Sequence, residues 1–101
     1  MPDAPSEQLA LMVTWLVRPG EENKVEAILR TMVPKTRAEP GCIAYTVQRS
    51  VEEPRLFMIY ELYRDEAALK AHEASEYFRH HVLEEGLPLL ERRVRSFYRP
   101  L

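Results

Sequence analysis

Two segments of this chain are apolar on both sides of what reads as an extended strand. Over Leu9–Val17, Leu11, Val13, Trp15 and Val17 fall on one side of the two-residue alternation, and Ala10, Met12 and Leu16 fall on the other. Over Leu56–Tyr63 the pattern repeats, with Leu56, Met58, Tyr60 and Leu62 opposing Phe57, Ile59 and Tyr63. A sheet with one wet face alternates apolar and polar residues, so these strands call for cover front and back. In a chain of 101 residues that second cover is hard to supply from within.

The intervening residues supply helices for one face only. Val25, Ile28, Leu29, Met32 and Val33 recur at the spacing of one helix face, with Glu21 and Glu22 at the positive end of the helix dipole. Pro34 is expected to kink or stop this helix, although Lys35 to Glu39 can add a turn before Pro40-Gly41. Cys42 to Gln48 reads as a second strand, joined to the third by the short, Pro-containing stretch Ser50 to Arg55, hence an antiparallel hairpin. Asp65 offers an N-cap for a helix with Ala68, Leu69 and His72 on one face. Ser75 offers a second cap before Phe78, Val82 and Leu83, so this helix should break or bend near Ser75. Gly86 is expected as a C-terminal cap, Leu87-Pro88-Leu89-Leu90 as a short extra helix, and Arg93 to Arg99 as the last strand. Residues 1–8, polar and Pro-rich, are expected to fray, leaving 9–101 as a single domain.

The order strand, helix, strand, strand, helix, strand is that of a ferredoxin-like α+β fold, an antiparallel sheet with both helices on one face. The other face then needs a second copy of the chain, most simply across a twofold axis, and a homodimer packed sheet to sheet is expected.

Composition excludes several function classes. A net charge of −2 and a pI near 5.9 give no basic surface for a phosphate backbone, so no nucleic-acid partner is expected. No apolar run approaches the ~18 residues of a membrane span, and the first residues lack a secretory pattern, so a cytoplasmic protein without membrane contact is expected. Cys42, the one cysteine, can form no internal disulfide and reads as a small buried hydrophobe. Three histidines without a Cys-x-x-Cys or His-Glu-x-x-His pattern indicate no metal site. Gly20, Gly41 and Gly86 stand too far apart to cradle a nucleotide or flavin phosphate.

Chemistry therefore falls to a few side chains. Glu61 interrupts an apolar strand, and a buried carboxylate needs a partner, here His72 or one of Arg49, Arg93 and Arg95. Either a structural ion pair or a catalytic role accounts for it. His72 shares a face with Ala68 and Leu69; it is either a hydrogen-bonded core histidine or a proton-transfer group. His80 and His81 point about 100° apart on a helix, and His81, three residues after Phe78, is expected to face inward while His80 is solvated. Trp15, Tyr45, Tyr60 and Tyr63 are core or interface packing singly, but as a set can line a slot for a flat aromatic ligand.

Glu39-Pro-Gly-Cys-Ile-Ala-Tyr, Arg55-Leu-Phe-Met-Ile-Tyr-Glu-Leu-Tyr and Glu66-Ala-Ala-Leu-Lys-Ala-His-Glu-Ala-Ser-Glu-Tyr-Phe together resemble the antibiotic biosynthesis monooxygenase domain, including its small quinol-monooxygenase branch, over roughly residues 9–99. The resemblance implies a dimeric α+β barrel and, as in several members, oxidation of hydroquinones or phenolic polycycles by O2 with no cofactor. It supports Glu61 and His72 by position, His72 as base or proton shuttle and Glu61 as its orienter. Trp15, Tyr45 and Tyr63, with Phe78 and His81, are then expected to hold the substrate. A haem-degrading branch carries an Asn on the first strand and a ligand His where Val82 stands here, which argues against haem. Isomerisation of a phosphorylated sugar-like signal, known in another relative, and a non-catalytic dimer binding small molecules remain alternatives.

Overall fold

Leu9–Val17 and Leu56–Tyr63 form the two central strands, β1 and β3, of one antiparallel four-stranded sheet. The computed structural model describes residues 6–101. Between these strands lie α1 (Glu22–Arg37) and β2 (Cys42–Arg49); after them come α2 (Glu66–Glu73), α3 (Glu76–Phe78) and β4 (Leu90–Tyr98). The order across the sheet is β2-β3-β1-β4, with Leu11 opposite Glu61 on β3 and opposite Phe97 on β4. This is the expected ferredoxin-like arrangement. Of the expected N-terminal segment, residues 1–5 lie outside the described residues, and residues 6–8 carry no regular structure.

The helices cover one face. Beneath them Leu11, Val13, Trp15, Phe57, Ile59 and Tyr63 pack with Val25, Leu29 and Met32 of α1 and Leu69 of α2. Each such side chain contributes about 1.5–3 kcal/mol by leaving water. On the opposite face the central strands present Met12, Leu16, Leu56, Met58, Tyr60 and Leu62, and the edge strands present a mixed set, Thr46 and Gln48 on β2 and Arg92, Val94, Ser96 and Tyr98 on β4. An apolar surface with a partly polar border is thereby left uncovered, Met12 being 43 % and Tyr98 54 % exposed. Among the described residues no helix is long and apolar enough to cross a membrane.

Four local features depart from the sequence reading. Helix α1 continues through Pro34 to Arg37: Pro34 sits near the helix end, Thr36 beyond it is buried, and the amide of Ala38 still reaches the Pro34 carbonyl. Gly86 is no positive-φ cap, since its φ is −75°. A Cβ there would lie 3.1 Å from the Trp15 ring and 3.0 Å from the His81 carbonyl, so the residue is small for close approach. After the expected break, where Ser75 caps α3 through the Phe78 amide, the chain adopts a π-helical stretch, Arg79–Gly86, that apolar spacing does not reveal. Finally, β4 starts at Leu90, three residues before the expected Arg93, because a bulge lets Val17 pair with Leu90.

Candidate active site

Helix α2 holds His72 against the inner face of the sheet. Asp65 accepts a hydrogen bond from the Ala68 amide at 2.8 Å and fixes the helix start, so that Ala68, Leu69 and His72 share the buried face. His72 is 2 % exposed, with the rings of Tyr45, Tyr63 and Tyr77 around it and Phe78 edge-on at a centroid distance of 5.0 Å.

The two ring nitrogens face different surroundings. Nδ1 lies 2.9 Å from Oε2 of Glu39, which also accepts a hydrogen bond from the Tyr77 hydroxyl. Gly41 makes this approach possible: a Cβ at that position would sit 2.3 Å from the Ala68 Cβ, one turn before His72, so only glycine lets this segment close onto α2. With a carboxylate at Nδ1, the proton of a neutral imidazole is assigned there, and Nε2 keeps its lone pair. Nε2 in turn lies 3.9 Å from Oε1 of Glu61.

Glu61 accepts a hydrogen bond of 2.7 Å from the Tyr63 hydroxyl. Burial pushes its carboxyl above the usual carboxylate range, against the opposing pull of that hydrogen bond and of the charges of His72 and Arg95. Burial, with the neighbouring Glu61 charge, likewise pushes the Tyr45 and Tyr63 phenols up, and burial with the Glu39 hydrogen bond raises Tyr77. All three therefore remain neutral hydroxyls at physiological pH.

These groups meet at a small cavity of about 20 Å³, the size of one water molecule. Its walls include Trp15, Tyr45, Glu61, His72, Phe78 and Val82, and its rim Glu73, Arg93 and Arg95. Arg95 forms an ion pair with Glu73, tying β4 to α2. Arg93 makes no ion pair or hydrogen bond among the described residues; partial desolvation and the adjacent Arg95 charge pull its guanidinium below the ordinary value. The indole Nε1 of Trp15 is buried with no hydrogen-bond partner among the described residues, a cost of roughly 1–3 kcal/mol for an unsatisfied donor.

The structure thus brings together Trp15, Tyr45, Glu61, His72 and Phe78 and corrects three expectations. Glu39, 33 residues away in sequence, takes the orienting place at His72 Nδ1 that had been given to Glu61. Tyr63 stands behind Glu61 as its donor and is not a cavity wall. His81 turns outward and binds Glu85 at 2.9 Å, while Val82 points in: the wider π turn aligns residue 82 with Phe78 and swings 81 away. Arg49, a candidate partner of Glu61, instead pairs with Glu26. Tyr60 lies on the opposite face, and Cys42 is half-buried, its thiol pushed up by burial. Glu39 and Tyr77 are residues of this region that received no role from the sequence, and Arg93, offered there as a partner for Glu61, makes no ion pair with it. For Arg93 a faint signal exists, the second of two consecutive cations on a strand facing an apolar core. Outside the cavity, His80, His81 and Glu85 bring donor atoms within 4.8 Å of one another on the π turn, the group best placed among the described residues to hold a metal ion.

The profile of the antibiotic biosynthesis monooxygenase family matches residues 9–83. The Synechocystis protein sll1783 is 34 % identical over 74 residues, 73 % of this chain but only 50 % of its own length, so the chain spans half of that relative. Rv0793 of Mycobacterium tuberculosis, named as a proposed monooxygenase, is 31 % identical over 69 % of this chain and 68 % of its own. The crystal structure of PA3566 from Pseudomonas aeruginosa superposes with a TM-score of 0.89 at 31 % identity, covering 97 % of this chain and 98 % of that one. The profile match across both central strands and α2, with the whole-chain agreement in fold, shows that this chain belongs to the antibiotic biosynthesis monooxygenase family.

Proposed function

We propose that the chain is a monooxygenase that oxidises a hydroquinone or phenolic polycycle with O2 using side chains alone, and that it works as a homodimer. The observation that carries this reading is His72: a buried imidazole, anchored by a carboxylate at Nδ1, whose Nε2 faces a cavity walled by rings. That is the arrangement a general base needs. Nε2 takes the proton of a phenolic hydroxyl, and Glu39 stabilises the imidazolium so formed. The electron-rich phenolate passes one electron to O2, and the radical pair closes a carbon–oxygen bond to give a peroxide. Loss of the proton on that carbon, with cleavage of the O–O bond, leaves one oxygen as a new carbonyl. The other departs as water, protonated from His72 or from Glu61, whose buried carboxyl favours its acid form.

A flat substrate is larger than the present cavity, so its access requires the Glu73–Arg95 pair to part and Phe78 to give way. On the outer face, the apolar stripe along β1 and β3, extended by Val94 and Tyr98 of β4 and bordered by Thr46, Gln48, Arg92 and Ser96, suits an interface centre with a partly polar rim, and a second copy is the self-complementary cover. The test is O2 uptake with a panel of hydroquinones and anthrones, run with and without air and with ¹⁸O2. One labelled oxygen per product supports the reading. Turnover that persists without O2 replaces it with isomerisation, and binding without turnover replaces it with a carrier role.

A further inference from the structure

We propose that Arg93 and the Trp15 indole form a subsite for an oxyanion on the substrate, a carboxylate or a phosphate, at the far end of the cavity from Glu61. The proposal rests on the reading of this cavity as the substrate site. Two independent observations meet in it. Among the described residues Trp15 Nε1 is a buried donor without an acceptor, and Arg93 forms no ion pair or hydrogen bond, Glu73 acting on it only as a more distant charge while paired with Arg95. They are direct cross-strand partners in the β1–β4 register, and both line the cavity.

The chemistry of the pair is one-sided. Indole N–H and guanidinium are donors only, so neither can satisfy the other, and one acceptor oxygen serves both. The charge around them is also uncompensated: Arg95 is matched by Glu73, which leaves Arg93 as the net positive charge of the rim. A neutral hydroxyl or carbonyl would satisfy the indole but not that charge, whereas an oxyanion satisfies both.

Position gives the substrate a direction. Trp15 pairs with Arg93, and Leu11, four residues away along β1, pairs with Glu61. That separation is roughly 13 Å along the strand. A ligand touching both ends has its acid group beside Trp15 and its reacting hydroxyl toward His72 and Glu61. This favours a fused, acid-bearing hydroxyaromatic over a single unsubstituted ring.

Trp15 is the one tryptophan in the chain and reports its own site. Anaerobic calorimetry and Trp15 emission are to be followed with 6-hydroxy-2-naphthoate, whose acid and hydroxyl stand at opposite ends of the rings, with 2-naphthol, which lacks the carboxylate, and with ribose 5-phosphate. The naphthoate should bind about 10-fold or more tightly than the naphthol, the effect of one charge-assisted contact. Arg93→Gln should abolish that preference, and Arg93→Lys should restore part of it. Arg93 is exposed on an edge strand, so the variants should fold, which circular dichroism checks. Equal binding of naphthoate and naphthol, or a preference that survives Arg93→Gln, overturns the subsite. Arg93-dependent binding of ribose 5-phosphate while both naphthalene ligands fail keeps the subsite and overturns the oxygenase reading.

Discussion

The two faces of the sheet break opposite rules. The inner face, under the helices, buries Glu61 and His72 where apolar side chains are cheaper; the outer face exposes Met12 and Tyr98 where polar ones are cheaper. On each strand, neighbouring residues serve different faces, Glu61 inside and Tyr60 outside. Departures from good packing are where a protein places function, and under the proposed function they divide into chemistry on one side and assembly on the other.

The sharpest way to break this division starts inside. Replacing His72 with Ala should lower kcat/KM by roughly 10²- to 10⁴-fold, the range for a lost general base, while leaving the oligomeric state unchanged in sedimentation. Unchanged turnover removes His72 from the chemistry. Outside, Met58→Glu on β3 should weaken self-association about 10²-fold or more, because it places like charges across the axis in an apolar centre. A dimer that persists at nanomolar concentration shows that the outer face is covered in some other way.

Smaller effects sharpen the inner face. Glu39→Gln keeps the shape at Nδ1 but not the charge, and should lower kcat about 10- to 100-fold with little change in KM, as for other groups that orient a working histidine. Glu61→Gln should act on stability. A carboxyl raised by folding stabilises the native state below its unfolded value of 4.5, and that contribution is lost as pH rises through the raised value. The glutamine variant should therefore melt higher than wild type at pH 8 and equally near pH 4. A variant less stable at pH 8 would show that the ionised Glu61 is a favourable partner.

Much of the architecture is legible because it is local. Strands β1 and β3 declare themselves by alternation, and Asp65 and Ser75 mark helix starts by their own side chains. His72 and Glu61 are legible as exceptions, polar groups on apolar faces. Glu39 is not, because its tie to His72 depends on a tertiary approach set by the missing Cβ of Gly41. The inward turn of Val82 in place of His81 is hidden for another reason: a π turn shifts helical phase without any change in residue type.

Strand β4 is the last in the sheet, and its outer backbone edge has no partner strand among the described residues. Arg92, Arg93 and Arg95 stand along that edge, and stacked like charges discourage copies from zipping together side by side. The cations at the cavity mouth thus also guard against open-ended fibres, so variants that neutralise them call for a check on solubility.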